Sequence, residues 1–189
     1  MPPPTALLDA NALYPAGLRH LLLRLADRHL HTPLWSAVIH EEWMRSLLDD
    51  RPDIEAGVLE RTRAVMDGYF PDALVTGYEA LAANLDLPDP GDRHVLAAAV
   101  VGGADIIVTR NLRDFPAERL APHGPVALHP DDFVAELFEA EADAVLDTVR
   151  GHRAALRRPP RSIGAYLAAP ERLCLSRTIS LLRRHDTAI

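Results

Sequence analysis

The chain has 189 residues, 48% hydrophobic and 25% charged, which is the composition of one globular domain with room for a short appendage. All 20 basic residues are arginine, and 27 acidic residues leave a formal net charge of −7. Without lysine there is no Schiff-base chemistry, and phosphate sites built on an ammonium group lose their usual cation. The single cysteine, Cys174, excludes an internal disulfide framework and any CxxC zinc site. The first basic residue is Arg19, so no charged region of a signal peptide is expected. The most apolar stretch, Val95 to Val108, is interrupted by Gly102, Gly103 and Asp105 and is too short to span a bilayer. A cytoplasmic protein that does not engage a membrane is therefore expected.

In chain order, the apolar run Thr5–Leu8 before Asp9 reads as a buried strand. Leucines at 18, 21, 22 and 25 predict a helix over Leu18–Leu30. Ser36 is an N-cap for a helix to about Asp49, with Ile39, Trp43 and Leu47 on its apolar side, and a further helix spans Asp53–Met66. Ala73–Thr76 is a second strand. The turn residues Leu87–Asp92 lead into an apolar helix, Arg93–Val101, stopped by Gly102 and Gly103. Asp105–Thr109 and Val126–His129 are two more strands, and Pro130 opens a helix to about Ala155. Arg157–Arg161 reads as a linker, followed by helices over Ile163–Ala168 and Glu171–Arg184. Short apolar strands alternating with helices predict an α/β fold of three α/β/α layers, with a central parallel sheet of four to five strands.

Charge divides the chain. Residues 150–189 hold nine arginines and two acids, a net +7, while residues 1–149 carry −14. The boundary expected is a body of 1–149 and a basic helical extension of 150–189. The leucines at 173, 175, 181 and 182 give the extension an apolar side that fits packing on the body, with arginines neutralising nearby carboxylates. The competing reading holds RNA phosphate on those arginines.

In an open parallel sheet, ligands sit beyond the carboxyl ends of the strands. Asp9 closes the first strand, Asp92 precedes a buried helix, Asp114 follows the strand ending at Thr109, and Glu42 lies on the helix after Ser36. Converging carboxylates repel one another unless a cation neutralises them, and a hard divalent ion suits an all-oxygen donor set. Each residue also has a plainer role: Asp9 as a strand-end polar residue, Asp92 as a helix cap, Glu42 as a solvated helix charge. His94 and Arg93 border the acidic turn, where contact with substrate phosphate is one reading and solvation at the surface the favoured one. Trp35 and Trp43 are read as core or groove-lining aromatics. His29 and His31 cannot face one ion together, because they alternate sides in a strand and diverge on a helix.

Four motifs then carry a family resemblance. Leu7-Leu-Asp-Ala-Asn-Ala-Leu-Tyr14, Trp35-Ser-x-x-Ile-x-x-Glu-Trp43, Asp89-Pro-Gly-Asp-Arg-His-Val-Leu-Ala-Ala-Ala99 and Ile107-Val-Thr-Arg-Asn-Leu-Arg-Asp-Phe-Pro116 resemble, in order, the PIN-domain ribonucleases. The likeness is greatest to VapC-type toxins of toxin–antitoxin pairs and covers about residues 5–140. The extension resembles that of one VapC subgroup. The resemblance implies an Mg²⁺- or Mn²⁺-dependent endoribonuclease that leaves 5′-phosphate and 3′-hydroxyl ends. It also implies a cognate antitoxin and a homodimer. It places Asp9, Glu42, Asp92 and Asp114 as catalytic metal ligands, with Asn11, Thr109, Arg110 and Asn111 positioning substrate. Asn111 departs from the family pattern, which has an aspartate there, and this bears on a second metal.

Two other classes compete for the same residues. A binding module on a PIN scaffold would follow if Asn111 marks decay of the site. A haloacid-type phosphatase needs an acid where Asn11 stands and a basic residue in a later motif, and lysine is absent.

Overall fold

A computed structural model describes residues 2–155 and 175–185. Five parallel strands run β1 (Thr5–Leu8), β2 (Thr32–Ser36), β3 (Leu74–Val75), β4 (Ile106–Val108) and β5 (Val126–Leu128). Their order in the sheet is β3-β2-β1-β4-β5. The register pairs Leu7 with Leu34 on one side and with Ile107 on the other, and Ile107 with Ala127. The chain moves outward from β1 to β3 and then returns to the other flank of β1, so the winding direction reverses between β1 and β4. Ligand crevices open at such reversals because the connections on either side leave the sheet in opposite directions.

The helices are α1 (Ala10–Leu13), α2 (Ala16–Asp27), α3 (Ala37–Asp50), α4 (Ala56–Tyr69), α5 (Glu79–Ala82), α6 (Arg93–Val101), α7 (Ala117–Leu120), α8 (Pro130–Ala140), α9 (Ala142–Ala155) and α10 (Ser176–Arg183). None of the described helices is long and apolar enough to cross a membrane. Every residue from Val95 to Ala99 on α6 is fully buried, and this helix packs on β1, β2 and β4. Its end requires glycine: a Cβ at Gly102 would lie 2.7 Å from Leu34 Cδ1 and 2.9 Å from Val75 Cγ2. Gly103 follows at φ +67°, a left-handed conformation that glycine adopts freely.

Two sequence expectations need correction. The strand β2 was not foreseen, because Pro33 lies inside a short run and proline weakens a strand reading. Its last residue is nonetheless the N-cap of α3, where Ser36 Oγ accepts from Ile39 N at 3.2 Å. The long helix from Pro130 is two helices, with Glu141 at φ −141° between them. No glycine or proline marks that break. His31 is a buried core histidine whose Nε2 donates to Leu22 O at 3.0 Å, and its ring meets Phe133 edge-on.

In the first turn of α8, after the N-cap His129 and Pro130, stands Asp131, whose buried carboxylate reaches across to α10. Its oxygens accept from Arg177 N and Thr178 N, each at 2.8 Å, and so cap that helix from another element. Leu175, Ile179 and Leu182 are buried beneath it. Arg177 completes the joint, pairing with Asp132 at 3.2 Å and Glu139 at 2.8 Å. The expected linker over Arg157–Arg161, the helix over Ile163–Ala168, Leu173 and Cys174 lie outside the described residues.

Candidate metal centre

Asp9 is placed by two local facts: it ends β1, and it is the N-cap of α1. Its backbone N–H donates to Val108 O at 3.1 Å, which pins it beside the end of β4. Its Oδ1 accepts from Ala10 N at 2.6 Å. Its Oδ2 accepts from Asn11 Nδ2 at 2.6 Å and from Thr109 Oγ1 at 2.7 Å. Asn11 extends this stitch across the reversal point, since its Oδ1 accepts from Arg110 N at 2.7 Å. Burial pushes the Asp9 carboxyl above its ordinary range, and the bonds from Thr109 and Ala10 only partly oppose that.

The C-terminal end of α1 is clamped as well. Arg19 is buried, its Nη1 donates to Leu13 O at 2.5 Å, and its guanidinium lies 4.4 Å from the centre of the Trp43 ring. Desolvation lowers its pKa to about 10, so it stays charged at neutral pH. Trp43 belongs to α3, whose buried side is tied down by a polar chain. Trp43 Nε1 donates to His40 Nδ1 at 2.9 Å, and His40 Nε2 donates to Asp67 at 3.1 Å. Trp35 Nε1 reaches the same Asp67 oxygen at 2.8 Å. Trp35 and Trp43 are thus core aromatics, and they fix the face of α3 from which Glu42 projects.

Asp9, Asn11, Glu42, Asp92 and Arg110 line one open cleft of about 480 Å³. Asp114 is not among the residues lining that cleft and joins it through Asp92. Asp89, Asp92 and Asp114 each offer a carboxylate oxygen, and those oxygens lie within 4.8 Å of one another. Asp92 caps nothing with its side chain; Asp89 holds the turn instead, accepting from Gly91 N at 2.7 Å. Burial, followed by the charges of Asp9, Asp89, Asp114 and Glu42, pushes the Asp92 carboxyl up to about 7. Each of those four charges opposes its ionisation. A cation is what this arrangement lacks, and an all-carboxylate donor set fits a hard divalent ion.

Thr109 is buried, and its hydroxyl accepts from Asn111 N at 3.1 Å while donating to Asp9. The Asn111 side-chain amide donates to Asp114 Oδ2, so it faces the cluster. Two residues have a larger place here than the sequence reading gave them. Asp89 joins the cluster because a short 3₁₀ turn over Pro90–Asp92 folds it back, and its spacing of three from Asp92 was the available signal. His94, read as a solvated surface group, is only 15% exposed and bonds to Glu42, which corrects that reading. A second cavity, about 310 Å³ and lined by His31, Thr32, Tyr69 and Phe70, lies at the opposite end of the strands and holds no acidic cluster of this kind.

A family model described as the PIN domain matches residues 5–113, and one described as the VapC50 C-terminal domain matches residues 130–184. A protein of Mycobacterium tuberculosis (strain ATCC 25618 / H37Rv), described as "Putative ribonuclease VapC50", is 40% identical over 94 residues. That match covers 48% of this chain and 55% of the relative, so the chain spans about half the length of the curated protein it matches. No solved structure matches the chain.

Proposed function

The chain belongs to the PIN-domain family, and from that premise we propose that it is a divalent-cation-dependent endoribonuclease, the toxin of a toxin–antitoxin pair. The observation that carries this reading is the acid cluster at the reversal point of the sheet, where Asp89, Asp92 and Asp114 bring carboxylate oxygens within 4.8 Å of one another and where burial, then the neighbouring acids, raise the Asp92 carboxyl. Asp9, Glu42, Asp92 and Asp114 would hold Mg²⁺ or Mn²⁺, with Asp89 at hand beside them. Such an ion, when bound, lowers the pKa of a water and stabilises charge on a phosphodiester in hydrolysis.

The remaining work falls to the chain's own residues. Asn11 and Thr109 hold both the Asp9 carboxylate and the end of β4, so the acid does not swing with solvent. Arg110, on the cleft wall, meets the substrate phosphate with a charge that has no carboxylate pair among the described ion pairs. Asn111 keeps Asp114 turned toward Asp92 and stands where relatives add another anionic ligand. The products would be a 5′-phosphate and a 3′-hydroxyl. A cognate antitoxin, a homodimeric assembly and a cytoplasmic location complete the proposal. So does the division into a nuclease body of 1–149 and a basic extension of 150–189, although α10 of that extension returns onto α8.

Incubation of the purified chain with RNA and Mn²⁺ tests this. Cleavage is expected to stop with chelator and to fall at least about 100-fold in Asp9→Asn, the scale seen when a preorganised electrostatic group is lost. Undiminished cleavage by that variant would remove Asp9 from the machinery. RNA that is bound but never cut by the unaltered chain would favour the binding-module reading.

A further inference from the structure

One imidazole bonds to a carboxylate of the cleft, and its geometry is specific. His94 occupies the first turn of α6, whose next five residues are fully buried, so its position is set by the core. Its Nε2 lies 3.0 Å from Glu42 Oε1, joining α3 to α6 across 52 residues of sequence. An oxygen of a carboxylate can only accept, so Nε2–H donates, whether or not Nδ1 carries a proton. Nδ1 is buried with no hydrogen-bond partner among the described residues. Glu42 likewise has no other hydrogen bond there. The contact is thus the single polar interaction that orients either side chain.

We propose that His94 is a positioning residue that holds Glu42 by one oxygen and thereby biases the centre toward small ions and against Ca²⁺. The proposal rests on the metal-dependent reading above and adds a selectivity to it. A carboxylate free at both oxygens can grip an ion with both, which suits Ca²⁺ and its distances of about 2.3–2.6 Å. An oxygen already accepting an N–H is a poorer half of such a grip. Glu42 then presents Oε2 alone, as ions demanding octahedral geometry at about 2.0–2.1 Å require. Partners that orient a ligand in this way typically govern affinity by about 10–100-fold.

Calorimetric titration of the full chain with Mn²⁺ alone and Ca²⁺ alone, without RNA, reads the ratio of the two affinities. In His94→Ala the preference for Mn²⁺ should shrink by about tenfold, chiefly because Ca²⁺ binding tightens once both Glu42 oxygens are free. His94→Gln, which keeps an N–H donor of similar reach, should recover most of the preference. His94→Asn, polar but too short to reach Glu42, should behave as the alanine variant and covers the case in which alanine fails to fold. Thermal unfolding without metal establishes that each variant is folded. A merely structural role would weaken both ions together, and that result, or an unchanged ratio in a folded variant, overturns the proposal. If the unaltered chain binds neither ion, the metal-dependent reading falls with it. If it binds Mn²⁺ and Asp9→Asn abolishes that binding, the reading stands whatever His94 does.

Discussion

Two groups of acids are treated in opposite ways by the fold. At the α8–α10 joint, the Asp131 carboxylate receives the backbone amides of Arg177 and Thr178, while Asp132 and Glu139 share the Arg177 guanidinium. In the cleft, Asp92 faces Asp9, Asp89, Asp114 and Glu42, and every one of them works against its ionisation. The first group is saturated by donors that the chain supplies. The second is left short of positive charge. Buried carboxylates in a stable protein are normally offset by positive charge, so the second group is the one consistent with a metal site.

Substitutions should separate the two regions by sign. The largest stability effect is expected at the joint: Asp131→Ala removes two charge-assisted bonds in a buried setting and should cost about 2–3 kcal/mol, read by chemical denaturation. In the cleft the sign reverses. The Asp92 carboxyl has a folded pKa of about 7 against an ordinary 3.8, so the folded state binds the proton more tightly than the unfolded state does. Stability of the metal-free protein therefore falls as pH rises from about 4 to about 7. Asp92→Asn should flatten that fall. Because the group is half exposed, solvent screening leaves a gain of about 1–2 kcal/mol at neutral pH. A loss of stability in that variant would place Asp92 with the structural acids.

Two smaller effects sharpen the contrast. Asn111→Asp adds an anion facing Asp114, and Mn²⁺ titration should show affinity rising several-fold, about fivefold. The same variant should lower the melting temperature without metal, because it adds repulsion where the cleft already has an excess. Arg177→Gln, on an exposed cation that bridges two acids, should change the melting temperature least of all, and less than Asp131→Ala. An equal effect of the two would mean that the joint is held by its surface ion pairs rather than by the helix cap.

How much of this was legible in the chain depends on whether the signal was local. Thr5–Leu8 and Asp105–Thr109 announced themselves because central parallel strands are apolar on both faces. Thr32–Ser36 did not, since Pro33 and an exposed Thr32 dilute a run of five residues that is otherwise buried. Asp9 and Asp92 were readable from their places at a strand end and a turn before an apolar helix. The pairing of His94 with Glu42 was not readable from helical periodicity, because it exists only when α6 and α3 meet. The trans cap from Asp131 to α10 was hidden for the same reason: an aspartate in the first turn of a helix looks like a local charge, and nothing nearby names its distant partner.

That cap also has a consequence for how the chain is made. Thr178 lies 47 residues after Asp131, and at a synthesis rate of about 5–20 residues per second this is a delay of roughly 2–9 s. An isolated helix as short as Ser176–Arg183 is marginal in water, so α10 does not form ahead of its seat. During that interval the face of α8 destined for Leu175, Ile179 and Leu182 is uncovered, and the Asp131 carboxylate has only water. The body is finished first and waits with one sticky side open. A chaperone acting on the nascent chain has that window, and so does a neighbouring copy on the same messenger RNA.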